Sequence, residues 1–241
     1  MREYLMFRLY GPMASWGDIA VGEYRPGFAH PSKSAVMGLL AAAVGLRREE
    51  EDKQQQFVGS YGFAVQVHAA GTLLRDYHTI QVPPKQRGVN HATRRSELLS
   101  LPLNTILSSR DYRCDAFYTI AIWDFVEHPP YSLAELALSL ACPVFTLYLG
   151  RKSCPPALPM QARTIRAENL KQAFLNVNSS VKGIPPDLPE RGHIATYWEG
   201  SDNGFESEHI IIRRDNPISR RRWQFAEREE RYAGVSQEKE E

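Results

Sequence analysis

The chain has 241 residues, of which 43% are apolar, and its 29 Lys and Arg nearly balance its 28 Asp and Glu, leaving a formal net charge of +1. This composition is typical of a globular protein with one or two domains, and it excludes a uniformly basic, histone-like binder. Three cysteines without C-x-x-C spacing support neither a disulfide framework nor a structural zinc site. Charges among the first ten residues and the lack of a long apolar run argue against a signal peptide and a membrane span, so we expect a cytoplasmic protein with no membrane partner.

The hydrophobic pattern of the first 68 residues predicts two strands and a helix. The apolar run Tyr4–Leu9 predicts a strand, which ends at Gly11-Pro12 because proline has no backbone donor. Ser32 stands as an N-cap before apolar residues at helical spacing, and this predicts a helix over Ser32–Leu46. The charged run Arg47–Lys53 predicts a solvated loop, and the alternation in Tyr61–His68 predicts a second strand.

The segments from Phe117 to Leu149 predict two further strands and a second helix. Phe117–Trp123 alternates as a third strand, and the capping box Ser132–Glu135 begins a helix that runs to about Ala141. Val144–Leu149 reads as a fourth strand. Strand, helix, strand, strand, helix, strand is the split βαβ order, so we expect an α+β fold with a ferredoxin-like (RRM-like) domain over residues 1–158.

The C-terminal part is broken up by prolines. Ile194–Trp198 and His209–Arg213 read as strands, which predicts a small β-rich C-terminal unit over residues 159–228, packed on the first domain. Residues after Arg228 are mostly Glu, Gln, Lys and Ser without an apolar period, so a flexible tail is expected over 229–241.

A long excursion, Ala69–Asp115, separates the second and third strands. From Arg75 to Arg113 it carries seven basic and three acidic residues, and aromatic residues flank it. Loops of this length are usually functional, and a basic, aromatic insert suits a nucleic acid that is gripped at its phosphates and stacked at its bases.

A second basic cluster lies near the C-terminus. It comprises Arg213, Arg214, Arg220, Arg221 and Arg222. The last sixteen residues, 226–241, carry six acidic and three basic residues. From the sequence, surface pairing with these acids and a binding role are equally good explanations of the arginine cluster.

Five segments occur together and in order. They are G-P-M-A-S-W-G (11–17), P-S-K-S (31–34), R-D-Y-H-T (75–79), C-D-A (114–116) and L-G-R-K-S-C-P (149–155). With these segments the chain closely resembles the repeat-associated RNA-binding subunits that hold the 5′ handle of the guide RNA (crRNA) in Cascade, the type I-E CRISPR surveillance complex. The resemblance covers most of residues 1–159.

The resemblance implies a function and a set of partners. The ferredoxin-like domain would carry an inserted β-hairpin thumb, here the basic excursion at about 79–110. The subunit would be non-catalytic, would bind the crRNA 5′ handle, and would cap the complex beside its backbone subunit (CasC) and large subunit (CasA). Target DNA would be met indirectly through the complex, in antiviral defence, with base pairing by the guide reading the sequence.

The candidate RNA-binding residues follow from charge, position and the resemblance. Lys33 and Ser34 lie in the first turn of a helix, where backbone donors favour a phosphate. Trp16 would stack on a base or cover the core edge. Gly150 would let the loop carrying Arg151, Lys152 and Ser153 approach the handle. The full set is Trp16, Arg25, Lys33, Ser34, Arg75, Tyr77, His78, Lys85, Arg87, Arg94, Arg95, Arg113, Arg151, Lys152 and Ser153.

An enzyme is the main alternative. Tyr77, His78 and Lys85 are residue types that can cleave RNA without a metal, so the rival hypothesis is an endoribonuclease that processes crRNA precursors. A general single-strand RNA binder is the third hypothesis. The histidines lack metal-ligand spacing and no phosphate-binding P-loop occurs, so we expect no metal and no other cofactor.

Overall fold

A seven-stranded antiparallel sheet organises this computed structural model, which describes residues 1–85, 87–178, 193–200 and 204–236. In chain order the described strands are β1 (Arg2–Tyr10), β2 (Met13–Ala14), β3 (Tyr24–Arg25), β4 (Tyr61–Ala69), β5 (Thr72–Val82), β6 (Asn104–Cys114), β7 (Phe117–Asp124), β8 (Arg163–Ala167), β9 (His193–Trp198), β10 (His209–Ser219) and β11 (Gln224–Ser236). The helices are α1 (Lys33–Ala43), α2 (Glu51–Ser60), α3 (Arg94–Leu98), α4 (Leu133–Ala141) and α5 (Leu170–Asn178). The strand order across the large sheet is β10-β11-β9-β4-β7-β1-β8.

The ferredoxin-like core lies in one half of this sheet. Strands β4, β7, β1 and β8 are neighbours in that order, with α1 between β1 and β4 in the chain and α4 between β7 and β8. This is the split βαβ arrangement expected from the sequence, and the α+β fold class is confirmed. The predicted caps are confirmed as well, because Ser32 accepts from Ala35 N–H and Ser132 forms a capping box with Glu135.

Both faces of the sheet are covered at β1, which explains why this strand is apolar without alternation. Leu5, Phe7 and Leu9 pack in the core shared with α1, α2 and α4, whereas Tyr4 and Met6 pack in the core shared with α5. Successive side chains of a strand point to opposite faces, so one strand contributes to two cores.

The fourth core strand lies elsewhere than predicted. Val144–Leu149 is not a strand, because the backbone N–H groups of Val144 and Phe145 donate to the carbonyls of Ala43 and Ala42 at the end of α1. The segment therefore satisfies the carbonyl of Ala43 and shares that of Ala42 with the N–H of Gly45, both in the last turn of the helix. Strand β8 takes the place beside β1 instead.

The predicted loop Arg47–Lys53 is also partly wrong, because α2 begins at Glu51. Phe57 and Val58 of this helix are buried, and Gln54 donates to the carbonyls of Leu46 and Arg47. The charged first turn of α2 does not show an amphipathic pattern, because the buried apolar residues of this helix lie in its second half.

The C-terminal part is β-rich, as predicted, but it is not a small unit packed on the first domain. Strands β9, β11 and β10 continue the same sheet, because β9 pairs with β4 from Ala64↔Trp198 to Val67↔Ala195. The expectation of a flexible tail from residue 229 is wrong over 229–236, which lie in β11, and Glu230 there is completely buried. Residues 237–241 of the expected tail lie outside the described residues.

The basic excursion is a long β-hairpin. Strands β5 and β6 pair without interruption from Thr72↔Cys114 to Val82↔Asn104, and β2 and β3 attach to β6 near the hairpin base. The paired strands thus extend beyond the predicted 79–110 at both ends. No helix in the described part of the chain is both long and apolar enough to cross a membrane.

Candidate nucleic-acid interface

A cleft of about 910 Å³ lies between α1, the loop that follows β1, the segment 145–152 and the turn that joins β10 to β11. Its cations are Arg47, Arg48, Lys152, Arg213, Arg214 and Arg220, its acids are Asp18, Glu49 and Asp215, and its aromatic residues are Phe28, Phe145, Tyr148, Trp223 and Phe225. Basic and aromatic side chains lining one cleft are the combination that single-stranded nucleic acids require.

Arg220 is the cation of the cleft with the most unusual surroundings. Its Nη2 donates to the carbonyl oxygen of Ser34 in the first turn of α1, and a Cβ at Gly38 would lie only 3.3 Å from the same nitrogen. No carboxylate in the described part of the chain pairs with Arg220. Burial, reinforced by the charge of Arg48, lowers the pKa of Arg220 to about 10. A desolvated cation without a carboxylate favours an anionic ligand.

Lys152 and Ser34 are the predicted residues that line this cleft. Lys152 is exposed and makes no ion pair with any described residue, so its charge is available to a ligand. The hydroxyls of Ser34 and Ser32 are 3.0 Å apart at the start of α1. The structure thus brings two predicted sites, the helix start and the loop after Gly150, into one cleft.

A buried charge network forms the floor of the cleft, since Arg213 and Asp215 line the cleft and are themselves buried. Arg228 donates to both carboxylate oxygens of Asp215, at 2.6 and 2.9 Å, and to Oε1 of Glu230 at 2.6 Å. Arg213 donates to Oε2 of Glu230 at 3.0 Å. Burial alone would raise the pKa of Asp215, but the hydrogen bonds and charge of Arg228 outweigh it and lower that pKa. The arginine cluster is therefore divided, and Arg213 pairs with an acid.

His30 joins this network as a neutral ring. Its Nε2 accepts from Nη1 of Arg213 at 2.9 Å, its Nδ1 lies 3.1 Å from the carbonyl oxygen of Pro31, and its ring stacks on Tyr197 at a centroid distance of 3.9 Å. Burial lowers the pKa of His30 to about 4; Glu230 opposes this shift, and Arg213 adds to it. His30 therefore acts as an acceptor near neutral pH.

The side chain of Lys33 is not exposed, as the predicted phosphate contact would require. The side chain is buried, and Nζ donates to both oxygens of Glu199, at 2.8 and 3.1 Å, while its backbone N–H donates to Asp215 at 2.8 Å. Burial raises the pKa of Glu199, and the charge of Lys33 opposes that shift. The proposed phosphate contact by the Lys33 side chain is wrong, because its charge is already neutralised by Glu199, 166 residues away in the sequence.

Trp16 belongs to the core, and the base-stacking alternative for it is wrong. Only 1% of its surface is exposed, and its ring meets Tyr118 edge to face at a centroid distance of 5.8 Å. An indole this deeply buried offers no face to a base.

The loop after Gly150 is anchored on one side and open on the other. Nε of Arg151 donates to Ser15 Oγ at 3.0 Å, and its guanidinium lies 5.8 Å from the centre of the Tyr112 ring. Gly150 has φ of 84°, and a Cβ there would collide with the carbonyl of Ser15. Ser153 is exposed beside Lys152.

Arg75 and Arg25 lie near the hairpin base. Nε of Arg75 donates to Asp111 at 2.8 Å and Nη2 donates to the Tyr24 hydroxyl at 2.7 Å, although half of its side chain is exposed. The hydrogen bond and charge of Asp111 raise the pKa of Arg75. Nη1 of Arg25 donates to the carbonyl of Gly22 at 2.5 Å. Both arginines hold local structure while keeping exposed surface.

The remaining predicted residues lie along the hairpin. Tyr77 is exposed on β5, and Nδ1 of the adjacent His78 lies 2.8 Å from Oδ2 of Asp76. Arg94 donates to Glu97 and to the carbonyl of Gln81. Exposed side chains near the tip are Lys85, Arg87, Arg94 and Arg95, whereas Arg113 is half-buried at the base. The structure does not bring these residues into the cleft.

Known proteins match the chain over almost its whole length. The family model described as "CRISPR-associated protein (Cas_Cas5)" matches residues 4–231. The chain belongs to this Cas5 family of CRISPR-associated proteins. A relative named "CRISPR system Cascade subunit CasD", from Escherichia coli (strain K12), is 33% identical over an alignment of 238 residues that covers 95% of this chain and 95% of the relative.

Solved structures agree with the family assignment. A chain of a "CRISPR RNA-guided surveillance complex" is 26% identical with a TM-score of 0.65, covering 97% of this chain and 90% of that one. A second, titled "Crystal structure of Cas protein", has 23% identity and a TM-score of 0.60 over 97% and 95% of the two chains, and supports the fold.

Sequence reasoning did not identify the main residues of the cleft in this Cas5 family chain. It left the role of Arg220 open within the C-terminal arginine cluster and did not consider Trp223, although the run R-R-R-W at 220–223 was a visible signal. A tight turn that concentrates arginines beside an exposed tryptophan is more specific than charge alone.

Proposed function

We propose that this chain is a non-catalytic subunit of a type I-E CRISPR surveillance complex, and that it binds the 5′ handle of the crRNA. In this proposal the cleft holds part of the handle, and the hairpin extends along the guide. The Cascade backbone subunit (CasC) and large subunit (CasA) are its protein partners, and target DNA reaches it only within the complex.

The observation that carries the proposal is that two cations of the cleft have no acid to neutralise them. Arg220 and Lys152 lack carboxylate partners in the described part of the chain, and they line the same cleft as the start of α1. A phosphodiester backbone supplies the missing negative charge, and the exposed aromatic residues supply surfaces for bases. The family relationship supports a guide RNA as the source of this strand.

The hairpin provides a continuation of the same surface. Arg151 packs on Tyr112 of β6, so the loop that carries Lys152 touches the hairpin base. Beyond it the hairpin carries exposed arginines and a lysine as far as its tip. A single strand that leaves the cleft beside Lys152 would therefore meet further cations.

The geometry argues against the endoribonuclease alternative. Tyr77 and His78 are successive residues of β5, and successive side chains of a strand point to opposite faces. His78 lies about 13 Å before the end of β5, at roughly 3.3 Å per residue, and Lys85 lies beyond that end. A general base and a cation that share one phosphate must be much closer than this.

The test is incubation of the full chain with its cognate repeat RNA in EDTA, followed by filter retention and gel analysis, with a scrambled-handle RNA as the control. The proposal expects handle-selective retention and intact RNA. Cleavage at a fixed position that His78→Ala abolishes would establish the endoribonuclease instead. Equal retention of both RNAs would favour a general single-strand binder.

A further inference from the structure

The turn between β10 and β11 carries a tryptophan in a backbone conformation that bulky residues rarely adopt. Trp223 has φ of 53°, in the left-handed region, and 57% of its surface is exposed. Such a position usually selects glycine or asparagine, because a Cβ there crowds the following carbonyl. Because more than half of Trp223 is exposed, burial of the indole does not offset this conformational cost. Residues in strained backbone conformations cluster at functional sites.

The indole is held at the edge of the cleft by its neighbours. The Arg48 guanidinium carbon lies 4.7 Å from the ring centre, and the Phe225 ring is 6.2 Å away at an angle of 35°. Both neighbours line the cleft as well. These contacts orient the indole, and the exposure of more than half of Trp223 leaves surface for a second planar group.

Arg220 stands three residues before Trp223 in the same turn. Its Nε makes no hydrogen bond within the described residues, and its only described acceptor is the carbonyl of Ser34. An aromatic face and an unneutralised guanidinium on one turn match the two parts of a nucleotide, namely its base and its phosphate.

We infer that this turn is a nucleotide subsite, in which Trp223 stacks on one unpaired base of an RNA strand and Arg220 binds a phosphate next to that base. The inference rests on the proposed function, since it deepens the binding of a crRNA strand in the cleft. The cleft volume of about 910 Å³ falls in the range of about 300 to 1,000 Å³ that ligand sites usually have.

The chemistry sets what this subsite recognises. Every base has a π face, so stacking on an indole detects the presence of an unstacked base and discriminates weakly between bases. The subsite therefore requires one handle base to be out of its stack, and it depends only weakly on which base that is.

The tryptophans make a direct optical test possible. Trp16, Trp123 and Trp198 are each 1% exposed, so Trp223 is the exposed tryptophan of the four. Titration of the full chain with handle RNA should quench the red-shifted part of the intrinsic fluorescence and protect it from acrylamide. Trp223→Phe should remove this signal while preserving most of the affinity, because phenylalanine retains a π face.

The binding constant of a leucine variant distinguishes stacking on the indole from the bulk of an apolar side chain. Trp223→Leu keeps an apolar side chain without a π face, and a lost base stack should weaken RNA binding by about 5- to 150-fold relative to wild type. In a series of handle RNAs that each carry one abasic site, one position should remove the difference between Trp223→Leu and wild type. A thermal melt of each variant checks that it is folded.

The outcomes separate the subsite from the proposed function. Unchanged RNA affinity in Trp223→Leu with unquenched wild-type fluorescence, while Arg220→Ala still weakens binding, overturns the base stack and leaves the proposed function standing. Absence of handle-selective binding by the wild-type chain overturns both.

Discussion

Two groups of arginines that are close in sequence do different work. On the floor of the cleft, the side chains of Arg213 and Arg228 are buried and share Glu230, and Arg228 also pairs with Asp215. In the cleft, Arg220 has no carboxylate partner in the described part of the chain. The difference lies in their partners, because a paired buried cation holds strands and helix together, whereas an unpaired one is left for a ligand.

The paired group also fixes the position of the unpaired one. Asp215 accepts from the backbone N–H of Lys33, so the network reaches the first turn of α1, and Arg220 binds the carbonyl of Ser34 in the same turn. The cleft therefore depends on a network that makes no proposed contact with RNA. Substitutions in the two groups should separate stability from binding.

The largest expected effect comes from removing the shared acid. Glu230→Gln would leave Arg213 and Arg228 without full neutralisation in a buried site, and the free energy of unfolding should fall by about 3 to 5 kcal/mol. Urea unfolding measures this change. The matched control is Glu229→Gln, whose side chain is mostly exposed, and it should change stability by less than about 0.5 kcal/mol. Equal effects in the two variants would contradict the network.

Acid should destabilise the network through His30. A histidine with a pKa of about 4 in the folded state and about 6.5 when unfolded stabilises the fold fully above pH 6.5, and this contribution is lost as the pH falls towards 4. The loss should reach about 3 kcal/mol. Glu199, with its raised pKa, acts in the opposite direction, since its protonation on acidification favours the fold.

The His30 contribution can be isolated by a variant. His30→Gln retains an acceptor for Arg213 but does not titrate, so the difference in unfolding free energy between wild type and variant should shrink between pH 6.5 and 4. A difference that stays constant across this range would show that His30 does not remain neutral in the fold.

The smallest expected effect concerns the turn in the cleft. Trp223→Gly and Trp223→Ala both remove the indole, but only alanine keeps the cost of a Cβ at positive φ. The glycine variant should therefore be more stable than the alanine variant by about 1 kcal/mol in urea unfolding. Equal stability would mean that the turn carries no strain in the wild-type chain.

The sequence predicted the elements whose causes are local. The caps at Ser32 and Ser132 depend on residues within one helical turn, and the core strands depend on alternation within a few residues. The ferredoxin-like order follows from these elements, so most of the first 141 residues could be assigned. Val144–Leu149 failed because its donors bind α1, a contact that no local pattern encodes.

The candidate site was harder to predict, because its character depends on distant partners. Lys33 looked available until Glu199 was placed against it, and the acidic end of the chain looked solvated until Glu230 was placed between two arginines. In the sequence, the unpaired cations Lys152 and Arg220 cannot be distinguished from cations that are paired with acids, such as Lys33. Only the fold separates cations that have acids from cations that do not.

The measurement that tests the central claim most directly is the salt dependence of handle-RNA binding in the variant that combines Lys152→Ala with Arg220→Ala. Losing two phosphate contacts should reduce the slope of log affinity against log salt by about 1.4, at roughly 0.7 per contact for a single strand. The control is Arg166→Ala on β8, an exposed arginine at the opposite edge of the sheet, which should leave the slope unchanged. A wild-type slope in the double variant would contradict the assignment of the cleft as the RNA site.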